Sequence, residues 1–124
     1  MVYRFGVVLS ASREGAERLT EETFKRLLDE FSGLKSGTNP VDHLLKTAWQ
    51  SWLSLKSGSF HPWNQPTVMS LARLEQDERV ALFLVDMVGL TPVAAAKVTE
   101  SSEVDLRLAL ANARRSLVSG GISL

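Results

Sequence analysis

The chain has 124 residues, and its fourteen basic and fourteen acidic residues cancel to a formal net charge of zero. Phosphate contacts from Lys and Arg supply most non-specific affinity for nucleic acid, so this balance excludes a protein held tightly on DNA by its overall field. The absence of cysteine excludes disulfides, thiolate metal sites and a cysteine nucleophile, and the length suffices for one modest core or two small helical ones.

Phe5 to Leu9 is the one apolar run near the N-terminus, too short and too badly flanked for a secretory signal. Nothing approaches the length of a membrane span, so a soluble cytoplasmic protein is expected. A fragment from Val2 to Ser10 leads through Ser12-Arg-Glu-Gly15 into a longer helix from about Ala16 to Phe31. Leu19, Phe24, Leu27, Leu28 and Phe31 recur there at helical spacing and predict one apolar stripe. Arg18, Glu21, Glu22 and Lys25 share another face at i, i+3, i+4 and i+7, the pattern of an ordinary solvated face laced with ion pairs. Ser32-Gly33 ends the helix and Lys35 to Pro40 is turn-rich.

Pro40 suits a first helical turn, and Val41, Leu44, Leu45, Ala48, Trp52 and Leu55 mark a third helix to about Lys56. Trp52 lies on the apolar stripe, which predicts core packing. Trp49 lies off it, which predicts an exposed ring suited to a protein partner or to stacking on unpaired bases. Ser57 to Pro66 holds two prolines and a glycine without periodicity and reads as a short linker.

The second half is helical again. Thr67 is placed to cap a helix through Leu74, and Glu75-Gln-Asp-Glu78 opens the next with acids where the helix dipole favours them. Gly89 stops that helix. Thr91-Pro92 is an N-cap followed by proline at the first helical position, and Ser102-Glu-Val-Asp105 is similar to a capping box. Leu106, Leu110, Ala113 and Leu117 form an inward stripe up to Gly120-Gly121. A helix near residues 92–98, a polar turn and a longer helix near 103–118 have the layout of a helix-turn-helix, a motif that commonly lays its second helix in the major groove. With that stripe inward, Glu103, Asp105, Arg107, Leu108, Asn112 and Arg114 lie toward a groove or its edges. Glu103 and Asp105 either repel phosphate there or simply cap the helix.

His43 and His61 are far apart, with no acid or second histidine at ligand spacing, and no nucleophile stands paired with a base. No glycine-rich phosphate loop occurs. The expectation is a non-enzyme with no cofactor, no metal and no small-molecule substrate.

Several of these residues together resemble a known family. Arg79, Ala81-Leu-Phe-Leu84, Gly89-Leu-Thr, Ala95-Ala96 and Ala113-Arg-Arg-Ser-Leu117 are similar to the promoter −35 reading domain, region four, of the sigma-70 family in its extracytoplasmic-function branch. Ala16-Glu-Arg-Leu-Thr-Glu-Glu-Thr-Phe24 resembles the core-binding segment of region two, and Lys46 to Lys56 stands where that region's −10 helix lies. The resemblance covers nearly the whole chain, though the first helix of region two looks cut short at Met1.

The resemblance implies an all-α protein of two small helical domains. Residues 1–56 are then region two-like, 57–66 the linker, and 67–124 a region four-like helix-turn-helix domain. It implies binding of core RNA polymerase through Arg18, Glu21, Glu22 and Lys25. DNA contacts are implied at Lys97, Arg107, Asn112, Arg114 and Arg115, and at Lys46, Trp49 and Gln50. This chain departs from the family pattern at Arg18, where an acid is usual, and at Trp49, Gln50 and Ser57, where arginines and an asparagine are usual. It departs again at Asp105, Leu108, Ala109 and Asn112, where small polar and basic residues are usual. Three functions are open: a sigma factor that binds core polymerase and, weakly on its own, promoter DNA; a sigma mimic that binds a protein such as an anti-sigma factor without reading DNA; or a free-standing helix-turn-helix repressor.

Overall fold

Ser12 and Gly6 set the geometry of the N-terminal helices in the computed structural model, which describes residues 1–29, 40–55 and 63–119. The described residues form seven α-helices and one π-helical turn, and no strand occurs among them. The chain divides into two compact units, Met1–Pro62 and Trp63–Leu124.

In the first unit α1 spans Val2–Ser10 and stops at Ala11, whose φ of 54° is left-handed. The Ser12 hydroxyl accepts a hydrogen bond from the Gly15 amide at 3.3 Å and so caps α2, Arg13–Asp29. That cap starts the helix three residues before the expected Ala16. α3 spans Pro40–Ser54, and α1 and α2 pack against each other and against it. A Cβ on Gly6 would stand 2.7 Å from the Cα and 3.2 Å from the Cβ of Ala16, so the crossing of α1 and α2 requires a residue without a side chain.

That close approach corrects the expected stripe of α2. The buried line is Gly15, Ala16, Leu19 and Thr23, whereas Phe24 is 50% and Leu28 76% exposed and Leu27 is half-buried. Small residues face the crossing because larger ones would hold the helices apart. Thr23 enters the core because its hydroxyl bonds the Leu19 carbonyl at 2.7 Å, leaving no polar group orphaned. The same device buries Thr47, on the His43 carbonyl at 2.8 Å, and Ser51, on the Thr47 carbonyl at 2.8 Å. On α3, Leu45, Ala48 and Trp52 are buried as expected, while Val41 is exposed.

In the second unit α4 spans Pro66–Ala72, with Gln65 at the N-cap and Pro66 at the first helical position. The expected cap at Thr67 is therefore inside the helix, and the helix breaks two residues before Leu74. α5, Gln76–Leu82, continues through a π-helical turn, Phe83–Met87. Gly89 follows with φ of +93°, a conformation that L side chains rarely adopt, and it ends the run. α6 is Pro92–Thr99, with the Thr91 hydroxyl accepting from the Ala94 amide at 3.1 Å. A left-handed Glu100 turns the chain into α7, Glu103–Ser119, capped by the Ser102 hydroxyl on the Asp105 amide at 3.1 Å. The caps read at Thr91 and Ser102 are thus in place, although the Asp105 side chain adds no return bond to Ser102.

Leu106, Leu110, Ala113 and Leu117 are buried, with Ala109, against α5 and α6. Predictions at Phe31, Ser32-Gly33, the 35–39 turn, Lys56, linker residues 57–62 and Gly120-Gly121 lie outside the described residues. No helix of the described residues is long and apolar enough to cross a membrane.

Candidate functional site

The inward stripe of α7 leaves three outer sectors, each with its own chemistry. On one flank stand Glu103, Arg107 and Arg114; on the other, Asp105, Asn112 and Ser116; between them, opposite the core, runs the series Val104, Leu108, Ala111, Arg115 and Val118. The pole is predominantly apolar: Val104 is 74%, Leu108 59% and Val118 79% exposed. Leu108 was expected near the groove, but Val104 and Val118 were not singled out in the sequence. Their i, i+4, i+7, i+11 and i+14 spacing is the signal that finds them, a second stripe on a helix whose first is already buried.

The arginines expected to meet DNA are held within the chain. Arg107 directs both Nε and Nη2 to Glu103 Oε1, at 3.0 and 2.8 Å. Arg114 forks onto Asp86 of the π-helical turn, Nε to Oδ2 at 3.0 Å and Nη2 to Oδ1. Hydrogen bonding to Asp86 raises the Arg114 guanidinium above its ordinary value, outweighing its slight desolvation, and the Asp86 charge adds to the rise. Arg115 donates from Nη2 to Asn112 Oδ1 at 3.1 Å, a neutral partner, so its charge is not cancelled. Asp105 and Lys97 are exposed on α7 and α6. An open depression of about 330 Å³ beside the pole is lined by Glu78, Asn112, Arg115 and Ser116.

In the first unit, Arg18, Glu21 and Lys25 are exposed on α2 as one face. Glu22 is drawn aside: its Oε1 accepts from Arg26 Nε at 3.2 Å, and Arg26 Nη2 reaches Ser54 Oγ of α3 at 2.6 Å. Glu22 therefore belongs to an α2–α3 tie more than to the outer face. The exposed Phe24 and Leu28 join that face instead, apolar residues between charged ones. On α3, Lys46 is exposed, whereas Trp49 and Gln50 are half-buried. The free ring expected at Trp49 is thus corrected: the residues of the same turn, Ala48 and Trp52, carry it partly into the packed side of the helix.

No family model and no curated protein sequence matches the chain. Solved structures do. The sigma factor RpoE, in complex with the anti-sigma factor NepR from Bartonella quintana, is similar with a TM-score of 0.81 at 20% identity, over 94% of this chain and 86% of that one. The PhyRSL of the PhyRSL–NepR complex from Sphingomonas sp. Fr1 is similar with a TM-score of 0.78 at 19% identity, over 95% of this chain and 80% of that one. At these identities the likeness is one of fold: this chain has the all-α fold of sigma factors and sigma-like proteins.

Proposed function

We propose that the chain is a sigma-like regulator of transcription initiation that acts by binding a protein of the anti-sigma type, without reading DNA itself. Met1–Pro62 is then its region two-like unit and Trp63–Leu124 its region four-like unit. The observation that carries this reading is the surface of α7, where the helix that would enter the groove presents Val104, Leu108 and Val118 at its pole while Glu103 and Asp86 hold two of its arginines. DNA affinity comes from cations free to displace counterions, and each guanidinium already facing a carboxylate contributes little. Depletion of charge at the centre of a surface is instead the mark of a protein interface. Both similar structures were solved with NepR, which supports the same class of partner here.

Titration calorimetry of the chain with purified NepR of Bartonella quintana, with core RNA polymerase and with −35 promoter duplex tests the reading. Binding to NepR alone is expected. Binding to promoter duplex or to core polymerase, without NepR binding, would overturn it.

A second reading, a sigma factor that binds core polymerase and promoter DNA, is favoured by one feature: the exposed α2 face of Arg18, Glu21, Phe24, Lys25 and Leu28. A mixed apolar and charged helix face of this kind suits a protein as large as the polymerase clamp. Core polymerase affinity that falls on Glu21→Lys would support it.

A further inference from the structure

We infer that the outer pole of α7 is the seat of a single amphipathic helix of the protein partner, oriented by two opposite charges; this rests on the protein-binding reading above. From Val104 to Val118 the pole extends roughly 21 Å along the axis at 1.5 Å per residue, about four helical turns. Its width is that of one helix, so the strip alone covers roughly a quarter of the 800 Å² per side that a stable association of two copies needs. One helix laid along it, as part of a larger partner contact, matches its shape.

Charge complementarity sets the direction of that helix. Most of the charged groups of α7 are already matched, Arg107 by Glu103 and Arg114 by Asp86. Among the described residues neither Asp105, on the flank beside Val104, nor Arg115, on the pole itself, forms an ion pair, and the two stand ten positions apart along the helix. A docked helix places a cation over Asp105 and an anion over Arg115, with apolar side chains on Leu108 and Ala111 between them and on Val104 just beyond Asp105. The depression lined by Glu78, Asn112, Arg115 and Ser116 gives that helix a polar socket at the Arg115 end.

The test uses the full chain and NepR of Bartonella quintana as probe, with wild-type affinity measured first. Leu108→Glu replaces an exposed side chain, so helicity and melting temperature stay as they are, and affinity is expected to fall about thirtyfold or more, as for a central interface residue. Arg115→Glu is expected to fall about tenfold, while Arg73→Ala, exposed at the end of α4 and off the pole, is expected to leave affinity unchanged. Wild-type binding that neither Leu108→Glu nor Arg115→Glu weakens would overturn the seat on α7 and leave the protein-binding reading standing. A wild-type dimer in sedimentation that Leu108→Glu dissociates would assign the pole to a second copy and overturn the inference. Failure of wild-type binding would remove the reading and the seat with it.

Discussion

Arg114 and Asp86, twenty-eight residues apart, join α7 to the π-helical turn by two parallel hydrogen bonds between guanidinium and carboxylate. A π turn widens the helix by one residue per turn and re-aims its side chains. Here it delivers a carboxylate to the flank of α7, where it pairs with a cation. The same flank loses Arg107 to Glu103.

Removing both carboxylates tests how far they suppress nucleic-acid affinity. Asp86→Asn with Glu103→Gln raises the net charge by two and releases two guanidinium groups while keeping side-chain size. Fluorescence anisotropy with a random duplex should detect no binding by wild type and weak binding by the double variant at low salt. The log–log salt dependence of that binding should have a slope of about 0.9 for each arginine that reaches phosphate. Equal binding by wild type and variant would mean that the ion pairs do not restrain the arginines.

Two leucines of one helix turn should respond in opposite ways to the same change. Leu110 is buried and Leu108 is 59% exposed. Leu110→Ala opens a cavity between α7 and α5 and should cost about 2–5 kcal/mol in chemical denaturation. Leu108→Ala should stay within about 0.5 kcal/mol of wild type. Similar costs at both positions would mean that the helix is rotated from the register described.

Gly6→Ala should destabilise the first unit. The added methyl would lie 2.7 Å from the Ala16 Cα and 3.3 Å from its carbonyl oxygen, both backbone atoms that move only with the helix. Forced separation of α1 and α2 should cost about 1–3 kcal/mol. Hydrogen exchange should locate the loss in α1 and α2 and spare α7.

The second unit was more legible than the first because its signals are local. Thr91-Pro92, Gly89 and Ser102 each act within a few residues, and the stripe Leu106, Leu110, Ala113 and Leu117 contains no competitor on the inner side. In α2 the apolar count pointed to Phe24 and Leu28, but the buried face is selected by a glycine on another helix, and a threonine qualifies for it only through its own i−4 carbonyl. Asp86 as the partner of Arg114 was equally out of reach, since no periodicity links positions twenty-eight apart. At the site, the basic residues of α7 were visible in the sequence and their internal partners were not.

Arg79 offers a stability test free of function. Its guanidinium is half-buried with Nε unpartnered, and burial pushes its pKa below the ordinary value while Glu75 pushes it back. A cation whose folded-state pKa is lowered opposes folding wherever it stays protonated, which for arginine is the whole range from acid to neutral pH. Arg79→Met keeps the packing of the stem and removes the buried charge. Its melting temperature should equal or exceed that of wild type, with a difference that stays constant between about pH 5 and pH 8 because the guanidinium is protonated throughout. A marked loss of stability would show that the guanidinium makes a contact that outweighs its desolvation.

Asp105 separates the two functions with one substitution. The acid stands exposed at the N-terminal end of α7, where the sigma-70 pattern tends to have small polar or basic residues. In a promoter reader it repels phosphate, so Asp105→Thr strengthens DNA binding and adds salt sensitivity. In the protein-binding reading, Arg107 and Arg114 remain held by Glu103 and Asp86 after the change, and no phosphate contact is released. The expected result is therefore no detectable promoter binding at low salt by either protein, with affinity for NepR reduced several-fold by loss of the charge that faces a partner cation. The Ser102 hydroxyl bonds the backbone amide of residue 105, not its side chain, so the helix cap survives the substitution. Promoter binding that appears on Asp105→Thr and weakens with salt would return the chain to the promoter-reading class.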